Sequence, residues 1–326
     1  EFQAWQPAYR YLKTHPALFL SDVKPVERFG PGWAWDDFSD HYSAERSSFP
    51  VYGNVFRVHW EGDAWGVYPA RFRDSIFQQF TDEKSAAGVR RAEFANRVLD
   101  IQAPDDQLAS FEAEVPVFQA EKQQWLLLGD TLGRPVEPIP FSRAQEPVFT
   151  VIYSTPVDTV YRRMMHQSDN FIAEQLLLVC AGMKFRQLDS GQLIDWAKDS
   201  LFAGAPTPPR WVDGSGLSRY NLVSPQFLTH VLRKLFREQS RERLFSLFPA
   251  GGMSGTIADW YRGPDGKPFV FAKTGGMSGV HCLSGYLVAK SGRVLVFSFM
   301  HNHFIGSNKA WKAEMQRFLL EIHDRF

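Results

Sequence analysis

The clearest ordering of apolar and polar positions lies near the end of the chain. Residues 269–273 predict one strand, and 283–289 and 293–300 predict two more. Ser291-Gly292 joins the last two as a tight hairpin. Over 309–326, Trp311, Met315, Phe318, Leu319 and Ile322 recur at helical spacing and predict a helix laid across that sheet. Upstream, Thr155-Pro156-Val157-Asp158 reads as a helix start with Thr155 as N-cap. Val157, Val160, Tyr161, Met164 and Met165 carry that helix to about Gln167, and their stripe reads as a core face rather than a ligand groove. The polar trio Ser168-Asp169-Asn170 then precedes a second apolar helix ending near Lys184. Residues 225–246 predict one further helix, rich in Leu, Phe and Arg.

The first half reads as broken β-structure. Phe56, Val58 and Trp60 alternate with Arg57 and His59, the period of a half-buried strand. Residues 65–68 and 125–128 are further short apolar runs. Gly30-Pro31-Gly32 marks a turn before Trp33-Ala34-Trp35. Residues 82–100 predict one helix, and 133–148, with four prolines, predicts a linker. Gly-Gly-Met-Ser-Gly occurs at both 251–255 and 275–279 and reads as two glycine loops of coincident sequence.

Composition narrows the class. The 326 residues are 44% apolar and 22% charged, which excludes disorder. Thirty-six basic residues balance thirty-six acidic ones, so a nucleic-acid partner is not expected. That zero hides a split. Residues 1–150 hold 15 basic and 22 acidic side chains, and 151–326 hold 21 and 14; this reads either as chance segregation of solvated charge or as two units with different jobs, the second of which would favour an anionic ligand if its charges cluster. Two cysteines, Cys180 and Cys282, form no disulfide framework or zinc module, and both read as buried, inert thiols. No run of about 18 apolar residues is present to span a membrane. The first residue is Glu1 rather than methionine, which reads as a processed or truncated chain.

Two short motifs carry the candidate chemistry, Ser168-Asp169-Asn170 and Lys273-Thr274-Gly275. With S-x-x-K, S-D-N and K-T-G form the signature of serine acyl transferases that react with β-lactams. A lysine and a hydroxyl on a strand edge, here Lys273 and Thr274, suit the free carboxylate of an acyl-D-alanine. Gly275 permits close approach of a substrate backbone, and the Gly276 N–H suits an oxyanion. Ser168 suits proton relay to the leaving amine, and Asn170 suits orientation of the acyl amide.

A third stretch, Asp213-Gly214-Ser215-Gly216-Leu217-Ser218-Arg219 followed by Tyr220-Asn221, narrows this further. With Gln167–Glu174, Ala272–Gly275 and Gly30-Pro31-Gly32-Trp33-Ala34-Trp35-Asp36-Asp37, the chain closely resembles the D-alanyl-D-alanine carboxypeptidase/endopeptidase family of the penicillin-binding protein 4 type. The resemblance implies an α+β, DD-peptidase/β-lactamase-like (transpeptidase) domain, its antiparallel sheet flanked by helices, over residues 141–326. A β-rich accessory (insertion) region over residues 1–140 would precede it. It further implies cleavage of peptidoglycan stem peptides ending in D-Ala through an acyl-enzyme on serine. β-Lactams would acylate the same serine, no metal or organic cofactor is needed, and the setting is the periplasm or bacterial cell envelope. A non-catalytic relative that only holds such peptides is the alternative.

The family's nucleophile belongs to an S-x-x-K ahead of the Gly-Pro-Gly-Trp stretch, so it is expected outside this chain. The literal match, Ser21-Asp22-Val23-Lys24, is followed by Pro25, which ends a helix, and reads as a decoy. Ser215 and Ser278 lie in glycine loops without a lysine at the required spacing. His301-Asn302-His303 reads as a surface pair at a strand end, and Asp36-Asp37 as solvated acids in a turn.

Overall fold

The computed structural model describes residues 7–15, 19–22, 26–61, 64–75, 88–102, 110–140 and 152–326. The chain folds into two units, Glu1–Thr155 with Glu174–Asp189, and Pro156–Ala173 with Ser190–Phe326.

In the first unit, α1 (Pro7–Thr14) and β1 (Phe19–Asp22) precede β2 (Val55–Glu61) and β3 (Ala64–Tyr68). Next come β4 (Gly88–Arg91), β5 (Val98–Gln102), β6 (Ser110–Pro116), α2 (Ala120–Leu132) and β7 (Glu137–Pro140). Strands β3-β2-β6 form an antiparallel sheet in which Val58 pairs with Val67 and Ala113. The alternation expected for β2 holds: Phe56 and Val58 are fully buried and pack with Leu127, Leu128 and Leu132 of α2.

Three expectations for this unit need correction. The single helix expected over 82–100 is replaced by the antiparallel pair β4–β5, and 76–87 lie outside the described residues. Two tertiary anchors hold that pair. Asn96 bonds both the N–H and the carbonyl of Phe118, and the buried Arg91 guanidinium donates to the carbonyls of Ala92, Ala95 and Phe38. Burial lowers the Arg91 pKa to about 10. Second, the apolar run 125–128 is helical, inside α2. Gln119 enters that helix with a left-handed backbone and no side-chain cap of its own. The buried Glu45 carboxylate instead accepts from the N–H groups of Gln119 and Ala120, both at 3.0 Å. Third, the segment expected as a linker contains β7, which pairs in parallel with β1; 141–148 lie outside the described residues. Prolines at 138 and 140 suit the edge of a two-stranded sheet, where fewer N–H groups are needed.

The second unit holds α3 (Val157–Gln167) and the first turn of α4 (Asn170–Phe185), whose remainder is grouped with the first unit. It continues with α5 (Ser190–Ser200), α6 (Pro225–Glu238), α7 (Arg241–Leu247), β8 (Val270–Met277), β9 (Val280–Val288), β10 (Val294–Asn302) and α8 (Lys309–Arg325). The sheet is antiparallel in the order β10-β9-β8. Helix α8 packs Met315 and Leu319 onto one face, against Val270, Ala272, Leu283 and Leu287. Helices α6 and α7 cover the other face through Leu232, Leu244 and Leu247 against Phe271, Tyr286 and Val296.

The three strands, the hairpin at Gly292 and the terminal helix match the expected pattern, but details differ. The N-cap position of α3 falls on Pro156 rather than Thr155, and no side chain caps it. Residues 225–246 form two helices because the Ser240 side chain accepts from Arg243 N–H and starts α7 afresh. On α8, Trp311 and Phe318 remain 37% and 44% exposed, so the apolar face is narrower than the spacing implied. Helix α5 has no counterpart among the sequence expectations. No described helix is long and apolar enough to cross a membrane.

Candidate active site

Strand β8 alternates between the two faces of its sheet. Val270 and Ala272 pack beneath α8 and Phe271 packs toward α6 and α7, so Lys273 follows Phe271 to the α6–α7 face. Its ammonium donates to Ser168 Oγ at 2.7 Å and to the Thr274 carbonyl at 2.7 Å. The S-D-N and K-T-G motifs therefore meet within the second unit. Burial lowers the Lys273 pKa to about 8, so the ammonium is still the main form at neutral pH.

The corner holding Ser168 is locally built. Ser168 ends α3 with a left-handed backbone, φ 55°, a conformation costing on the order of 1 kcal/mol for a residue with a side chain. Asp169 supports it from both sides. Its N–H donates to the Met164 carbonyl, and its carboxylate accepts from Ile172 N–H at 2.9 Å, capping α4. Arg163 sits 3.4 Å from the same carboxylate. Asn170 is the first residue of α4.

Beyond Lys273, β8 runs along an open edge. Gly251 N–H donates to the Val270 carbonyl, and Ala272 N–H donates to the Pro249 carbonyl, both on the side away from β9. The strand period extends that outward row to Thr274 and Gly276. Packing does not require glycine at 275 or 276. A Cβ on Gly275 would make an ordinary 3.6 Å contact with Cys282, and one on Gly276 would meet nothing within 4 Å.

Thr256 carries no motif in the sequence, yet its hydroxyl lies 2.8 Å from the Thr274 hydroxyl. Its neighbour Gly255 has φ 62°, and a Cβ there would lie 2.9 Å from Pro249 and 3.1 Å from the His166 carbonyl of α3. The first Gly-Gly-Met-Ser-Gly segment thus touches both α3 and β8, and its resemblance to 275–279 gave no hint of this.

The Asp213–Asn221 stretch is organised by one buried carboxylate. Asp213 accepts from Gly216 N–H, Ser218 N–H and Asn221 Nδ2 at 2.7–2.9 Å. Ser215 Oγ accepts from Leu217 N–H within this loop. Ser278 lies in the β8–β9 turn. Ser21 sits on β1 opposite Ile139, not on a helix, and Lys24 lies outside the described residues. Asp37 and Asp40 both face the Tyr42 hydroxyl. His301 stacks on Trp311 at 4.4 Å, and no group of three or more His, Cys, Asp or Glu side chains suited to a metal occurs among the described residues. Cys180 is exposed rather than buried, because α4 turns Leu178 and Ala181 inward instead.

The chain is similar to known proteins. A D-alanyl-D-alanine carboxypeptidase DacB from Haemophilus influenzae is 31% identical over 181 residues, covering 52% of this chain and 37% of its own length. The chain thus spans little more than a third of that relative. A crystal structure of penicillin binding protein 4 (dacB) from Haemophilus influenzae superposes with a TM-score of 0.71 at 22% identity, covering 92% of this chain and 72% of the other, and shows the same DD-peptidase fold. A second structure of that protein, complexed with a novel β-lactam, gives a TM-score of 0.63 at 23% identity over 86% of this chain and 69% of the other. The family model for D-Ala-D-Ala carboxypeptidase 3 (S13) matches residues 22–322. With S-D-N and K-T-G brought together at Lys273 and Ser168 and a family match along nearly all its length, the chain belongs to the D-Ala-D-Ala carboxypeptidase 3 (S13) family.

Proposed function

We propose that the whole protein is a serine-type D-Ala-D-Ala carboxypeptidase or endopeptidase acting on peptidoglycan peptides in the bacterial cell envelope. The carrying observation is the 2.7 Å hydrogen bond from Lys273 Nζ to Ser168 Oγ. In this reading Lys273 and Thr274 hold the terminal carboxylate by charge-assisted hydrogen bonds. Gly275 and Gly276 leave room for the peptide along the β8 edge, which suits positions where packing does not require glycine. The Gly276 N–H stabilises the oxyanion. Asn170 orients the acyl amide.

A serine oxygen attacks the carbonyl of the penultimate D-Ala, and the bond to the leaving amine breaks. The proton released by the attacking hydroxyl passes through Ser168 to that amine, and water then hydrolyses the acyl-enzyme to the free acid and restores the serine hydroxyl. The reading assigns no nucleophile among residues 1–326. It treats 1–140 as an accessory region and 141–326 as the transpeptidase-like part.

The test uses the full-length protein, a D-Ala-D-Ala peptide and a fluorescent penicillin. Release of D-Ala and labelling of one serine, with D-Ala release lost in Lys273→Ala, are the expected results. Peptide binding without turnover or labelling would replace this reading with that of a peptide-holding protein. A label mapped to Ser21 would reverse the assignment of that serine.

A further inference from the structure

Away from the β8 edge, α6 carries His230, Arg233, Lys234 and Arg237 at i, i+3, i+4 and i+7, which places them on one face. Leu232, on the opposite face, is buried, as is Phe227 near the start of the helix. The basic stripe lines a cavity of about 500 Å³, opposite Ser200 and Leu201 at the end of α5.

Charge in this cavity is not balanced. Lys234 pairs with Glu238 at 2.6 Å. Arg233 and Arg237 are exposed, and neither has a carboxylate partner among the described residues. Two like charges at i and i+4 repel by a few tenths of a kcal/mol and contribute nothing to folding. Guanidinium groups form forked hydrogen bonds with oxyanions, and two of them one helical turn apart suit the several oxygens of a phosphate. The volume exceeds that of one phosphate, and the 46% exposed Leu201 offers an apolar wall to an organic substituent.

We propose that the α5–α6 cavity binds a phosphate ester, with Arg233 and Arg237 as the principal contacts. A soluble phosphorylated compound and the headgroup of an anionic lipid share this chemistry. The site is separate from the Lys273 region and does not rest on the proposed peptidase activity.

The test compares the full-length protein with an Arg233→Gln/Arg237→Gln double variant. Glutamine keeps good helix propensity, and the change removes a repulsion, so the fold is retained. A Lys267→Gln/Lys290→Gln variant, changed at exposed lysines outside the cavity, controls for net charge. Glycerol 3-phosphate titration reports the soluble source, and sedimentation with phosphatidylglycerol vesicles, against phosphatidylcholine, reports the lipid source. In either arm, binding that weakens about tenfold only in the arginine variant, and more at low salt than at high, supports the site. No binding in both arms, or equal loss in the lysine control, overturns it.

Discussion

Lys273 Nζ and Ser168 Oγ lie 2.7 Å apart although 105 positions separate them in the chain. Burial holds the ammonium at a pKa of about 8, below its ordinary 10.5. Between those values the unfolded chain binds more protons than the folded one, so Lys273 makes stability rise with pH. Below about pH 8 both states are protonated, and the cost of burying the charge is felt in full. Denaturant melts at about pH 7 and about pH 10 should therefore show wild type gaining on Lys273→Met at the higher pH. For the peptidase reading, kcat/KM should fall on the alkaline side near pH 8, where the ammonium that holds the carboxylate is lost. A flat alkaline limb would remove Lys273 from carboxylate binding.

The Thr256–Thr274 hydroxyl pair, 2.8 Å apart, gives a second prediction. If Thr256 donates to Thr274, the Thr274 proton stays available to a substrate carboxylate. Thr256→Val in the full-length protein should raise KM roughly tenfold, the effect of about one hydrogen bond, while kcat changes little. Thr256→Ser should restore the wild-type value. An equal effect on a substrate lacking the terminal carboxylate would count against the role.

Gly255 sits where a side chain is both conformationally and sterically opposed. Gly255→Ala should cost about 1–2 kcal/mol from the left-handed backbone alone, read as a melting point lower by several degrees. Crowding of the His166 carbonyl should also shift the Ser168 corner, so acylation by a labelled penicillin should slow beyond what lost stability explains.

Glu45 caps α2 from 75 residues away, through Ala120 N–H, while fully buried. Glu45→Ala leaves those helix N–H groups and the facing Arg28 without their partner. A loss of about 2–4 kcal/mol is expected in chemical denaturation, with faster hydrogen exchange at the α2 N-terminus. A change under about 0.5 kcal/mol would mean that water satisfies the freed helix N–H groups and Arg28 in the variant.

Where sequence and structure agree, the cause is local periodicity or local capping. The β2 alternation, the three C-terminal strands, the helix over 309–325 and the S-D-N corner each follow from residues within a few positions of one another. They part where a distant group decides. Residues 88–102 form strands because Asn96 and Arg91 are anchored to Phe118 and Phe38, and 120–132 form a helix because Glu45 supplies the cap. The candidate site shows the same division. Lys273, Thr274, Ser168 and Asn170 were legible as motifs, but Thr256 was not, since nothing in a glycine loop marks which strand it will touch.

What the sequence by itself determined was the alternation that makes β8 a strand, the polar break that separates α3 from α4, and the chemical types at Ser168 and Lys273. Those properties depend on backbone period and side-chain chemistry, which any short stretch carries with it. Only the tertiary structure decided that the lysine reaches the serine, that burial lowers its pKa, and that Thr256 stands beside Thr274. Desolvation and close approach depend on which elements pack together, and no spacing along the chain encodes that distance.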